Sequence, residues 1–233
     1  MTTEGNTDVN AHGPGGNGTF VAGVYNYCDQ WCSYCPVTAR CLAHRVFLER
    51  KARHDDDLGD FSQVIAFTRE VAAAAGTPTP ELDALLSGNA AEQMTLPTID
   101  DPLERLGHRY AADVSQFLRR RHWLPPDGWH ADQPVPLDVI AWYHVLVPAK
   151  ICRALIGAAQ AARGHADRRS DAHGSAKVAL IGLDRSRAAL AHLDESADVA
   201  LTRRLADRLV SMIEARFPDA REFARPGLDA PVV

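Results

Sequence analysis

The sequence predicts an all-α protein: a helical bundle of about five to seven helices with an irregular, cysteine-rich segment at its N-terminal end. Three observations point there. Apolar residues recur at helical spacing through most of the chain. Helix start and stop signals bracket those stretches, with no internal repeat and no alternation of strands and helices. Finally, four of the five cysteines, Cys28, Cys32, Cys35 and Cys41, crowd into one short run. The expected organisation is a disordered tail over 1–19, a four-cysteine segment over 20–41, the bundle over 42–217 and a C-terminal tail over 218–233.

The tail is polar and rich in Gly, Asn and Thr, a composition that buries too little apolar surface to fold. A first helix is expected from about Thr38 to His54, with Cys41 in its first turn and Asp55-Asp56-Asp57 and Gly59 ending it. A second covers about Asp60 to Ala75, closed by Gly76, Pro78 and Pro80. A short helix is read near Glu81–Ser87. The next start is well marked: Asp101 caps, Pro102 occupies the first turn and Glu104 lies three residues past the cap. That helix runs to about Trp123 on a stripe of Leu103, Leu106, Tyr110, Val114 and Phe117, and Pro125-Pro126-Asp127-Gly128 stops it. The apolar run from Pro136 to about Gly164 reads as a central helix, and Ser175 to Leu193 as another. Ser196 caps a last helix whose buried face is Leu201, Leu205, Leu209 and Met212 or Ile213. Pro218 ends it. The only strand-like pieces are near Phe20–Tyr25 and Val178–Leu183.

The chain has 233 residues, is 46% hydrophobic and 24% charged, and carries a net charge of −5. This is the composition of a globular domain. The acidic balance argues against nucleic acid as a partner, since phosphates call for a basic surface, and Arg119-Arg120-Arg121 reads as a solvated helix end. No uninterrupted apolar stretch of membrane-spanning length is read, so no membrane is expected as a partner. The polar N-terminus lacks the basic start and apolar core of a secretory signal, so the expected location is cytoplasmic. A reducing cytosol disfavours disulfides and leaves the thiols available as ligands.

The cysteine spacing is C-x3-C-x2-C-x5-C. Thiolates select zinc and iron–sulfur clusters. Zinc sites built from two knuckles place ten or more residues between two C-x2-C pairs. The single pair here, with flanking cysteines close by, is nearer to ferredoxin-type runs. The expected cofactor is therefore a [4Fe–4S] cluster on Cys28, Cys32, Cys35 and Cys41, with zinc as the alternative. Tyr25, Tyr27, Trp31 and Tyr34 stand ready to shield it.

Cys28-x3-Cys32-x2-Cys35, with Tyr34 before the third cysteine, resembles the cluster motif of the radical SAM enzymes. That resemblance implies a [4Fe–4S] cluster whose open iron binds S-adenosylmethionine. It covers eight residues only. The helical remainder lacks the family's partial barrel and its Gly-Gly-Glu-type run, and Cys41 would close the open iron position. The wider stretch Tyr27-Cys28-Asp29-Gln30-Trp31-Cys32, continuing through Cys35 to Thr38-Ala39-Arg40-Cys41, is similar to the start of a bacterial family of hypothetical proteins. That similarity implies that the four cysteines act together and carries no mechanism.

A second candidate site lies in the bundle. His144 shares a face with Leu137, Ile140, Ala141, Pro148, Ile151 and Leu155, and Pro148 cannot donate to the carbonyl of residue 144. Lys177 and Asp184 interrupt the stripe of Leu180, Ile181, Ala188 and Ala191, and buried charges need partners. A polar layer of His144, Lys150, Lys177 and Asp184 is thus a candidate catalytic site, set against a core histidine and a snorkelling lysine. Glu104 and His108 have the spacing of bundle metal ligands without a second copy, and Glu70 is a lone carboxylate on an apolar helix. His165, His173 and His192 read as loop or surface residues. Asp171-Ala172-His173-Gly174-Ser175 reads as a lead-in that offers a helix N-terminus to an anion, or simply a cap. Cys152 reads as a small buried hydrophobe. No nucleophile elbow, P-loop or dinucleotide fingerprint is present.

Three functions follow as expectations. The first is a redox, sensing or structural metalloprotein. The second is an enzyme using the polar layer. The third is a zinc-stapled interaction module with a protein or small-molecule partner.

Overall fold

The computed structural model describes residues 20–21, 23–53, 61–76, 100–124, 135–165 and 168–229. Among them are six α-helices and no strand, as an all-α bundle requires. They are α1 (Leu42–Ala52), α2 (Phe61–Ala74), α3 (Pro102–Arg120), α4 (Pro136–Ala162), α5 (Arg168–Ala191) and α6 (Ala197–Arg216). The expected tail over 1–19, the short helix near Glu81–Ser87 and the Pro125–Gly128 stop lie outside the described residues. The chain divides into two compact units, one of residues 1–22 and 35–90, the other of residues 23–34 and 91–233.

In the first unit α1 packs on α2. Its core is Leu42, Val71 and Ala72, with Phe20, Val46 and Phe67 against it. The expected start of α1 at Thr38 is too early. Thr38–Arg40 form a 3-10 turn, and Cys41 is the extended N-cap residue, so Cys41 precedes the first turn and does not lie within it. Two bonds compete with helical pairing there: the Thr38 hydroxyl donates to the Cys35 carbonyl, and the Val21 amide, remote in sequence, donates to the Arg40 carbonyl at 2.9 Å.

The second unit is a closed ring of four helices: α3 packs on α4, α4 on α5, α5 on α6 and α6 back on α3. Its centre is filled by Tyr110, Val114 and Phe117 of α3, Ile140, Tyr143, Val147 and Ile151 of α4, Leu180, Leu183 and Leu190 of α5, and Leu209 and Ile213 of α6. Each such side chain contributes about 1.5–3 kcal/mol on leaving water. The cap at Asp101 forms as expected, its carboxylate accepting from the Leu103 amide at 2.8 Å. Gly107 of α3 lies against Ile151 and Pro148 of α4, where a Cβ would stand 3.2 Å from Ile151 Cδ1. The basic end of α3 is not a merely solvated one. Arg120 pairs with Asp198 at 2.8 Å and Arg121 with Asp194 at 2.7 Å, at the acidic start of α6. Ser196 caps α6. Its buried face is Val199, Thr202, Leu205, Ala206, Leu209, Val210 and Ile213, while Leu201 is exposed.

Two expectations change here. By length and composition α4 is apolar enough to cross a membrane, contrary to the reading that no such stretch exists; half of its most apolar window is buried in the protein, which core helices also show. And α5 begins at Arg168, not Ser175, so Asp171–Ser175 are helical and offer no N-terminus. Position 174 calls for glycine because two rings occupy the space beside it. A Cβ there would overlap Tyr27 and stand 2.9 Å from Phe223 Cε1. The strand-like segment Val178–Leu183 is likewise inside α5, and Val24–Asn26 form a 3-10 turn.

Candidate functional site

The segment Gly23–Tyr34 threads its polar groups onto α4 and α5. After the 3-10 turn Val24–Asn26, the chain reverses at Gln30, whose φ of 59° is left-handed. A non-glycine residue there costs energy unless its surroundings hold it. They do. Asp29 accepts from the Trp31 amide at 3.3 Å, an Asx-type turn, and the Cys32 amide donates to the Gln30 carbonyl at 3.0 Å. Cys32–Tyr34 then form another 3-10 turn. Asp29 and Gln30 thus shape the three-residue bridge between Cys28 and Cys32.

Asp29 is also the anchor to the bundle. The Tyr143 hydroxyl donates to its carboxylate at 2.8 Å, and Arg185 donates to the same oxygen and to the Tyr143 hydroxyl. Trp142 Nε1 donates to the Asp29 carbonyl at 2.9 Å. Trp31 stacks on Trp142 with ring centroids 5.2 Å apart and meets Tyr143 and Tyr34 edge-on. Burial and the Asp29 charge push the Tyr143 phenol well above its ordinary pKa, so it remains a donor. Gly182 makes room for it: a Cβ there would stand 2.9 Å from Tyr143 Cδ1.

Two turns along α4 from Tyr143, Lys150 is buried and donates to the Asn26 carbonyl at 3.0 Å. Arg153 donates to the Asn26 side chain at 3.1 Å and pairs with Asp171 at 2.7 Å. Burial lowers the Lys150 pKa, and of the groups that oppose this, Cys28 acts most strongly. The Cys28 thiol donates to the Tyr25 carbonyl at 3.5 Å. Cys28 is half-buried and Cys32 exposed in this unit; Cys35 is half-buried and Cys41 buried in the other. The donor chemistry, four thiols in one short run, suits a soft metal. Among the described residues, no three His, Cys, Asp or Glu side chains are gathered as a metal ion needs.

The second candidate layer, His144, Lys150, Lys177 and Asp184, is not brought together: among the described residues no bond joins any two of them. The His144 Nδ1–H donates to the Ala141 carbonyl of its own helix at 2.6 Å, and burial lowers its pKa. Lys177 donates to the Phe223 carbonyl at 2.7 Å and pairs with Asp229 at 2.8 Å. Asp184, which is 40% exposed, pairs with Arg221 at 2.9 Å. Both therefore hold the C-terminal segment, whose 3-10 turn Ala220–Glu222 lies on α5. Phe223 from that segment packs on Tyr27, ring centroids 4.9 Å apart.

Glu104 and His108 stand 4.0 Å apart near the surface. Glu104 raises the Cys152 thiol pKa after burial has done so, which places Cys152 between α3 and α4 as a half-buried thiol. Glu70 pairs with Arg53 at 3.0 Å. His173 lies in α5 against Phe217 and is half-buried, whereas His165 and His192 are exposed as expected. The residues that sequence reasoning missed are Asn26, Asp29, Tyr143, Arg153 and Arg185. Asp29 carried a signal, sitting directly between two cysteines of the run; Asn26 ends a 3-10 turn, and Tyr143, Arg153 and Arg185 are scattered across two helices. Comparison with protein-family models, with curated proteins and with solved structures found no match.

Proposed function

We propose that the protein binds a soft metal centre through Cys28, Cys32, Cys35 and Cys41, a [4Fe–4S] cluster before zinc, on a helical bundle that orients the first two ligands. The spacing of the run supports the ligand set. The anchoring of Asp29 by Tyr143, Arg185 and Trp142 is the observation that carries the functional side of the reading. A loop tied down by three separate bonds is preorganised for a ligand. Thiolate centres gather their remaining donors on binding, because metal binding and local folding are coupled. A cluster in this set supplies one-electron chemistry; zinc supplies a closed structural site. The protein's residues hold the Cys28–Cys32 bridge, screen it with Trp31, Tyr34 and Trp142, and keep positive charge beside it.

Anaerobic purification followed by iron, sulfide and zinc analysis and a visible spectrum tests this. A brown protein bleached by dithionite, with iron and sulfide in equal amounts, supports the cluster. Stoichiometric zinc in a colourless protein moves the reading to zinc. Neither metal, with none taken up on reconstitution, overturns it.

A further inference from the structure

After α6 the chain runs back along α5 as a strap, within the second unit throughout. Arg221 meets Asp184 at 2.9 Å and Glu214 at 2.5 Å. Nearer the N-terminal end of α5, Lys177 donates to the Phe223 carbonyl at 2.7 Å and pairs with Asp229 at 2.8 Å. The Phe223 ring then rests on Tyr27 in the space that Gly174 leaves open. Gly174, Lys177 and Asp184 share one face of the helix, so the two charges that interrupt its apolar stripe are the track on which the strap lies. Phe217 and Ala220 root the strap in the core, but beyond Ala220 no described residue of it is buried. Its hold there consists of ion pairs near the surface, which are weak and screened by salt, and of one ring contact. Segments with so little buried apolar surface are the first to open. Tyr27 directly precedes Cys28. The Cys28 thiol is half-buried and bonds the Tyr25 carbonyl in the same 3-10 turn.

We propose that the C-terminal strap is a salt-sensitive latch on the turn Val24–Asn26 and Tyr27: through the Tyr27–Phe223 contact the two open together, and opening uncovers the Cys28 thiol. The ion pairs of Lys177 and Arg221 set how readily the latch lifts, and the ring pair carries its movement to the residue beside the cysteine. The latch governs access to a thiol and holds whether or not a metal occupies the cysteines.

The test is hydrogen exchange of the full chain, kept reduced and with chelator present. The turn is read at the amides of Asn26 and Tyr27, which bond the Gly23 and Val24 carbonyls, and the strap at those of Leu228 and Asp229, which bond the Arg225 carbonyl. Phe223→Ala removes the ring; Lys177→Met removes the ion pair and keeps the apolar stem. In both variants the strap and turn amides are expected to exchange at least about threefold faster, measured against the α3 amides. Alkylation of Cys28 by iodoacetamide should rise with them, measured against Cys152. In the wild type, raising salt from about 0.05 to about 0.5 M should produce the same joint acceleration, and Lys177→Met should blunt that response. Faster strap exchange with unchanged Asn26 and Tyr27 amides overturns the proposal, because the two then open separately. So does acceleration that α3 and Cys152 share equally, which is loosening of the whole bundle. If neither variant folds, the wild-type salt series decides: joint acceleration of strap and turn supports the latch, and its absence overturns it.

Discussion

Gly174→Ala is expected to destabilise the protein, although alanine in a helix interior ordinarily does the reverse. Gly174 lies well inside α5, where the intrinsic preference favours alanine by about 1 kcal/mol. The Cβ of residue 174 is fixed by the backbone and cannot rotate away. It would overlap Cδ1 and Cε1 of Tyr27 and come within 2.9 Å of Phe223 Cε1. Overpacking of this kind costs about 1–3 kcal/mol, and displacing Tyr27 also weakens its ring pair with Phe223, worth about 0.5–1.5 kcal/mol. Set against the helix preference, the net loss is about 0.5–3.5 kcal/mol, and at about 2–4 °C per kcal/mol for a protein of this size the midpoint falls by roughly 1–14 °C. Urea and thermal unfolding followed by far-UV circular dichroism read this directly. The decisive arm is the Tyr27→Ala background. With the ring gone, Gly174→Ala there should be neutral or stabilising by about 1 kcal/mol. A substitution equally costly in both backgrounds, or stabilising in the wild type, refutes the argument.

Asp29→Ala leaves the Tyr143 hydroxyl and Arg185 without their carboxylate. It should cost about 2 kcal/mol, moderated by the half-exposed arginine, and raise hydrogen exchange at amides 28–32 above that of the helix cores. Asp101→Ala removes the cap of α3 and should cost about 1 kcal/mol in urea unfolding. Asp184→Ala should change stability by no more than about 1 kcal/mol, because its pairs with Arg221 and Arg187 are near the surface; a larger loss would mark it as more than a surface ion pair. His144 has a folded-state pKa below its ordinary 6.5. Its contribution is thus fully present above about pH 6.5 and is lost as the pH falls toward the folded value, since the unfolded chain takes up the proton first. Stability measured between pH 7 and 5 should fall less steeply in His144→Gln than in the wild type.

The fold was legible where local chemistry decides it. Asp101-Pro102, Ser196 and the stripe through Tyr110, Val114 and Phe117 each state a boundary or a face in a few neighbouring residues. The start of α5 was not, because Gly174 and Ser175 look like a break until Tyr27 and Phe223, both remote in sequence, fill the space beside them. The site divides along the same line. The cysteine run and its aromatic neighbours are contiguous and could be read directly. Tyr143, Lys150 and Arg153 lie on one helix, Asp171 and Arg185 on another, and their convergence on Asn26 and Asp29 depends on α4 packing against α5. Lys177 and Asp184 mislead for a related reason: their side chains reach the C-terminal segment, which reads as a plain tail in the sequence and instead supplies Phe223, Arg221 and Asp229 as partners.

The two glycines of α5 carry a consequence for descent. Gly174 accommodates Tyr27 and Phe223, and Gly182 accommodates Tyr143, so each glycine is tied to the bulk of a ring contributed by another part of the chain. Drift at either glycine is confined unless the matching ring shrinks at the same time. In diverged copies of this chain, positions 174 and 27, and positions 182 and 143, should therefore change together or remain fixed together. Pairing the Tyr-Cys-Asp-x-Trp-Cys run with a Gly-x7-Gly helix far downstream would then distinguish true descendants from chains that share only a cysteine spacing.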